Sequence, residues 1–193
     1  MSAVFQVRVH GRGGQGVVTT AELLSVAAFG SGRHAQAFPS FGSERTGAPV
    51  VAYCRIDTRP IRLREPVLEP DALIVQDSTL IHRVDVFGGL APRGWVLLNT
   101  RLGWEQLAID GVDRDRVILL PASQLATVHL GRPLPGAALL GGFAAVSDEL
   151  VTLDSVLAAI KGRFRGGVAQ GNAAAAAAAY ALVRDARKES VHA

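Results

Sequence analysis

Sulfur and aromatic rings are scarce in this chain: among 193 residues there are one cysteine, one methionine, two tryptophans and two tyrosines, and aromatics make up only 6%. A lone cysteine cannot close an internal disulfide. Nor can it supply the four thiolates that an iron–sulfur cluster usually takes, or a four-ligand structural zinc site. Cluster-based electron transfer would therefore belong to another chain. Few aromatics also leave little with which to stack single-stranded bases. Lysine is nearly absent, with only Lys161 and Lys188, and the net charge of +3 comes from arginines spread from Arg8 to Arg187 with acidic residues between them. That distribution describes a solvated surface rather than a phosphate-tracking stripe, so no nucleic-acid partner is expected. No apolar run approaches the roughly 18 residues that would suggest a membrane span, and residues 1–9 lack a basic segment followed by an apolar one. The expectation is a cytoplasmic chain with no membrane association.

Apolar residues (49%) and 21 glycines are plentiful. At roughly 150 residues per domain the chain makes one domain with a real core. Residues 4–9 form a β-branched run that feeds a glycine-rich turn. Val17, Ala21, Leu24 and Ala28 then recur at helical spacing, and Gly30 is placed to end the helix. Further strands are expected at 34–38 and 49–56, and buried ones at 72–75, 95–98 and 117–120, where the apolar runs are continuous. Continuous runs mark strands covered on both faces. The fold class is α/β: a Rossmann-like three-layer fold with a mainly parallel sheet over residues 1–121 and a mainly helical part over 122–186. Thr152 is placed to cap a helix through Leu153, Val156 and Ile160 that Lys161 and Arg163 close. Seven consecutive alanines in 172–183 favour a docked C-terminal helix with close packing. Residues 184–193 are expected to fray, with 187–193 a disordered tail.

Gly11, Arg12, Gly13, Gly14, Gln15 and Gly16 match G-x-G-x-x-G between a strand and a helix. Glycines permit a tight turn and close backbone approach, while the free N–H groups at the helix start favour an anion. A dinucleotide site also needs an acid about twenty residues on to meet the ribose hydroxyls. Residues 31–37 contain none, which counts against NAD and leaves only Arg33 to meet a 2′-phosphate. A P-loop would demand Lys and Ser/Thr where this chain has Val17 and Val18, so nucleotide hydrolysis is excluded. The connection over 36–50 is longer than a usual α/β loop and includes Phe38, Ser40, Phe41, Gly42, Glu44 and Arg45, a composition suited to contact with a ligand or partner. Gln76, Asp77, Asn99 and Thr100 fall at the carboxyl ends of strands, where α/β folds bind ligands and where simple helix capping is the competing explanation.

The turn beginning at Gly11, the segment QAFPSFGSERTGAPV over 36–50, the run PDALIVQD over 70–77, and the pattern from Leu139 through Phe143, Thr152 and Phe164 to Asn172 together resemble the gamma subunit of 2-oxoacid:ferredoxin oxidoreductases. FPSFGSERTGAP is closer to the pyruvate-type branch. The resemblance implies an oxidoreductase complex that oxidatively decarboxylates pyruvate or a related 2-oxoacid and transfers the acyl group to coenzyme A. It implies thiamine diphosphate, Mg2+ and [4Fe–4S] clusters on other subunits, none of them held by this chain. Alpha and beta subunits, with or without delta, are the implied partners, and ferredoxin is the acceptor. This chain would support assembly and the coenzyme A side of the active site through Gly11, Arg12, Gly13, Gly14, Gln15, Gly16, Ser40, Phe41, Gly42 and Arg45. Arg12 and Arg45 are the candidate phosphate contacts because guanidinium presents paired donors.

No constellation here runs chemistry alone, and no catalytic residue is assigned. The five histidines show no H-x-x-x-H spacing, so no metal site is expected. Ser40 and Ser43 lack a nucleophile elbow. Asp110, Asp113 and Asp115 are interleaved with Arg114 and Arg116. Cys54 falls inside a strand, where a buried inert thiol is expected. Two other readings stay open: a stand-alone NAD(P)-binding oxidoreductase, and an assembly module whose glycine turn only packs.

Overall fold

A computed structural model describes residues 4–40, 46–147 and 150–191. Six strands form one sheet in the order β2-β3-β1-β4-β5-β6. They are β1 (Phe5–Arg12), β2 (His34–Pro39), β3 (Pro49–Asp57), β4 (Ala72–Val75), β5 (Trp95–Asn99) and β6 (Val117–Leu120). The ladders β1–β4, β4–β5 and β5–β6 run parallel. β1–β3 and β2–β3 are antiparallel. The sheet is thus mixed, with the expected parallel character at its centre and far edge.

Helix α1 (Val17–Gly30) follows β1, α2 (Trp104–Leu107) follows β5, and α3 (Ala122–Leu130), α4 (Gly136–Val146), α5 (Leu153–Arg163) and α6 (Gly166–Val191) complete the chain. Strand alternation sorts the core into two clusters. Val7 and Val9 of β1, Cys54 of β3 and Ile74 of β4 face a helical layer of α1, α4, α5 and α6. Leu73, Val75, Val96 and Leu98 turn to the other side, where Leu80, Val86 and Leu107 cover them from short turns, loops and α2. Long helices therefore cover one face only, and the third layer is thin.

α4 is the hub of the helical layer. Every residue from Ala137 to Ala145 is buried. A Cβ on Gly141 would collide with the backbone of Ala176, so glycine here lets α6 lie directly against α4. On the α6 side Ala175, Ala176, Ala179 and Val183 are buried. The alanine run is therefore a packing surface, as its composition suggested.

Local signals explain most boundaries. The Thr152 side chain accepts from Ser155 N, Asp154 sits in the first turn, and Lys161 and Arg163 lie in the last. Two boundaries differ from expectation. Gly30 is the last residue of α1, and the chain turns instead at Gly32 (φ 80°), whose N–H donates to Phe29 O while Ser31 N bonds Ala27 O and Ala28 O. The C-terminal stretch continues as helix through Val191, where fraying had been expected from residue 184. The Arg187 guanidinium reaches back to Ala145 O at 3.2 Å and ties this last part of α6 to α4.

Candidate functional site

The glycine-rich turn is half strand. β1 runs on through Gly11 and Arg12, which pair with Val50 and Pro49 of β3. Glycine is required at Gly11 because a Cβ there would meet Val17 Cγ2 at 2.6 Å and Gln76 Oε1 at 2.9 Å. Gly13 N donates to Ala48 O at 2.9 Å and Gly13 O accepts from Gly47 N at 3.0 Å, which fastens the turn to the loop entering β3. Gly14 (φ 93°) and Gly16 (φ 74°) adopt left-handed backbone, which a side chain would strain. Gln15 closes the turn on itself, its Oε1 accepting from Arg12 N at 2.8 Å.

Arg12 is committed within the chain. Its Nε lies 3.0 Å from Asp77 Oδ2, one terminal nitrogen donates to Thr79 Oγ1 at 2.8 Å, and the other donates to Gly47 O at 3.0 Å. Gln15 Nε2 adds a fourth tie, to Asp77 Oδ2 at 3.2 Å. Burial alone would raise the Asp77 carboxyl. Hydrogen bonds from the Thr79 hydroxyl and amide, then from Gln15, together with the Arg12 charge, outweigh it and hold the carboxyl below its ordinary range. Asp77 is therefore both the cap of the 3-10 turn Ser78–His82 and the anchor of Arg12.

α1 starts without a side-chain cap and without an acid in its first turn. Among the described residues nothing caps the amides of Val17, Val18 and Thr19, so they present the positive end of a fourteen-residue helix. Two cavities flank this point. One, of about 330 Å3, is lined by Arg12, Gly13, Gly14, Val17, Val18, Thr19 and Val50. The other, of about 530 Å3, opens between the start of α1, the α3–α4 connection and the start of α6, with Gly16, Thr19, Thr20, Arg132, Gly136, Phe164 and Asn172 in its wall. Behind it Gln76 Nε2 donates to Thr20 Oγ1 at 2.6 Å, and the buried Gln76 Oε1 has no partner among the described residues. Arg132 and Gly136 carry no local motif that could have marked them, and Phe164 and Asn172, which belong to the pattern that carries the resemblance, gave no sign of lying near the turn; only the fold brings the α3–α4 connection and α6 beside it.

Of the residues singled out in the long loop, Ser40 uses its N–H on Val51 O at 2.9 Å, and Phe41, Gly42 and Arg45 lie outside the described residues. Asn99 caps α3, accepting from Ser123 N at 3.0 Å, and its Nδ2 donates to Gln76 O at 2.8 Å. Thr100 Oγ1 accepts from Leu102 N. Asn99 thus does the helix-capping work that competed with ligand binding, whereas Thr100 makes a local side-chain turn ahead of α2. The strand after α1 is an antiparallel edge strand, so the second parallel strand of a dinucleotide fold is replaced by the β2–β3 hairpin.

Asp110, Asp113 and Asp115 are exposed. Cys54 is fully buried, which pushes its thiol well above the usual range. Sequence reading gave no special place to His10, which is buried on the loop-covered face of the sheet, where its Nε2 accepts from Arg8 Nε at 2.9 Å. Burial, and then the Arg8 charge, push the imidazole down to about 3, so it is neutral at pH 7. Among the described residues no group of three or more His, Cys, Asp or Glu is arranged to hold a metal ion, and no helix is long and apolar enough to cross a membrane.

Residues 6–182 match the family model described as pyruvate ferredoxin/flavodoxin oxidoreductase. The chain is 45% identical over 177 residues to the pyruvate synthase subunit PorC of Methanothermobacter marburgensis, covering 92% of this chain and 96% of that one. It is 42% identical over 179 residues to the common gamma subunit of the pyruvate/ketoisovalerate oxidoreductases of Pyrococcus furiosus, with the same coverage. Among solved structures, the pyruvate oxidoreductase subunit PORC of Thermotoga maritima superposes with a TM-score of 0.78 at 30% identity, covering 93% of this chain and 97% of that one.

Proposed function

The chain belongs to the pyruvate ferredoxin/flavodoxin oxidoreductase family, and on that premise we propose that its glycine-rich turn serves the coenzyme A side of the active site in a pyruvate-type enzyme. It is a gamma subunit of a 2-oxoacid:ferredoxin oxidoreductase, similar over nearly its whole length to gamma subunits of pyruvate and ketoisovalerate enzymes. Alpha and beta subunits in the cytoplasm complete the enzyme, and ferredoxin takes the electrons. The thiamine diphosphate, Mg2+ and [4Fe–4S] clusters of such an enzyme supply decarboxylation and electron transfer. No residue of this chain is assigned to holding them.

The observation that carries the coenzyme A reading is the uncapped, acid-free start of α1, reached through Gly14 and Gly16 and flanked by open cavities. Phosphate oxygens suit the amides of Val17, Val18 and Thr19, and no side chain blocks close approach at Gly14. Arg12 is a positioning residue. Its guanidinium is spent on Asp77, Thr79 and Gly47, so it holds the turn in shape. Arg45 remains the candidate for a direct guanidinium contact.

A second reading, assembly only, draws on the same turn: Gly13, Gln15 and Arg12 all spend polar groups internally, as a packing device would. Purifying the chain from its native host tests the common part. Copurification with a thiamine- and iron-containing assembly that reduces ferredoxin with pyruvate and coenzyme A is expected; isolation of the chain alone, without that activity in the preparation, would sink it.

A further inference from the structure

Among the described residues β6 ends the sheet, with β5 as its one ladder neighbour. In a parallel ladder alternate residues turn both N–H and C=O to the same neighbour. The Thr100 amide donates to Leu120 O at 3.0 Å, which sets the phase: Ile118 and Leu120 bond to β5, whereas Val117 and Leu119 turn outward. The Val117 N–H is already taken by Arg114 O. The Val117 C=O and both backbone groups of Leu119 are left facing outward, with no hydrogen-bond partner among the described residues.

These groups face a groove of about 760 Å3. Both tryptophans of the chain line it, Trp95 and Trp104, together with Val146 at the end of α4 and Leu182 on α6. Leu182 is 43% exposed. The charged residues of its wall are Arg114, Arg116, Arg187 and Asp115. Arg116 donates to Gly94 O and Ala91 O, and Arg187 to Ala145 O, all neutral carbonyls that leave the positive charge uncompensated.

We propose that the β6 edge and its tryptophan-lined groove receive an extended, acidic segment of a partner subunit, which adds a strand to the sheet beside β6. Outward backbone groups next to an apolar trough are matched by another extended backbone, whose alternate side chains fill the trough. The excess of arginine selects a segment bearing carboxylates. A second copy of this chain is the poorer occupant, because pairing β6 with β6 sets the same arginines against each other. The proposal rests on the chain being a subunit of a larger enzyme.

Hydrogen exchange at the Leu119 amide, measured in the isolated chain and in the assembled oxidoreductase, tests it. Exchange is expected to slow at least tenfold on assembly. Leu119→Pro removes that outward donor without touching the β5 ladder, and Leu182→Glu fills the groove from the exposed face of α6 with a charge that repels an acidic segment. Both are expected to weaken association with the other subunits at least tenfold. Leu182→Glu, at an exposed helix position, carries the test if the proline variant misfolds. An assembled enzyme in which the Leu119 amide stays unprotected, or in which Leu182→Glu binds as the parent does, overturns the inference and leaves the subunit assignment standing. A dimeric isolated chain with Leu119 already protected overturns it in favour of a second copy. Failure to find any assembly removes the assignment and the inference together.

Discussion

The Nε of Arg12, the last residue of β1, lies 3.0 Å from Oδ2 of Asp77, two residues beyond β4, and this pair clamps the carboxyl ends of two neighbouring parallel strands beside the glycine turn. Asp77→Asn keeps the shape and removes the charge that Arg12 and Gln15 share. With the two side chains only 23% and 15% exposed, the loss is expected to be about 1 to 2 kcal/mol, read as a lower midpoint in urea with an unchanged slope. The assembled variant should also show a raised KM for coenzyme A. Parent-like values of both quantities would mean that the clamp does not shape the turn.

Two groups make stability fall with acid, in different windows. His10 is held at about 3 in the fold, against about 6.5 when unfolded, so the unfolded chain takes up a proton first and stability drops as pH falls from about 6.5 toward 3. Across the whole interval this is on the order of 5 kcal/mol. Asp77, depressed in the fold, adds a loss only below its unfolded value near 3.8, as pH falls through the folded one. His10→Gln keeps an acceptor for Arg8 and removes the titration. Its stability profile between pH 6.5 and 4 should be flatter than the parent's; an equal slope would assign the acid sensitivity elsewhere.

Glycines on two helices should respond in opposite directions. Gly141→Val drives a side chain into the Ala176 backbone and is expected to cost about 3 kcal/mol, seen as a large fall in Tm. Gly162→Ala in α5 meets nothing within 4 Å and should raise stability by about 0.5 kcal/mol. Similar Tm values for the two variants would contradict the close α4–α6 contact.

Apolar runs made the strands legible: 72–75 and 117–120 appear with the limits their composition suggests, and Thr152 caps α5 as its position implies. Strand direction was not legible, because β2 and β3 pair through a long connection whose composition does not say which way the chain returns. Gly30 and Gly32 compete within two residues of each other, and backbone angle chose the second. The turn was found as a motif, yet the commitment of Arg12 was invisible, since Asp77 and Thr79 stand 65 and 67 positions away. Distance in sequence likewise hid that Arg132 and Asn172 lie beside the turn, which they reach only through the packing of α4 and α6.

The KM for coenzyme A of the assembled enzyme carrying Thr19→Glu tests the central claim most directly. An acid in the first turn of α1 suits the helix dipole, so the subunit should fold, but its carboxylate competes with phosphate for the same amides. A rise of at least tenfold in the KM for coenzyme A is predicted, with the KM for pyruvate and the rate at saturating coenzyme A within about twofold of the parent (tenfold being about 1.4 kcal/mol). An unchanged KM for coenzyme A in a fully assembled variant would contradict the account and leave the glycine turn a packing device.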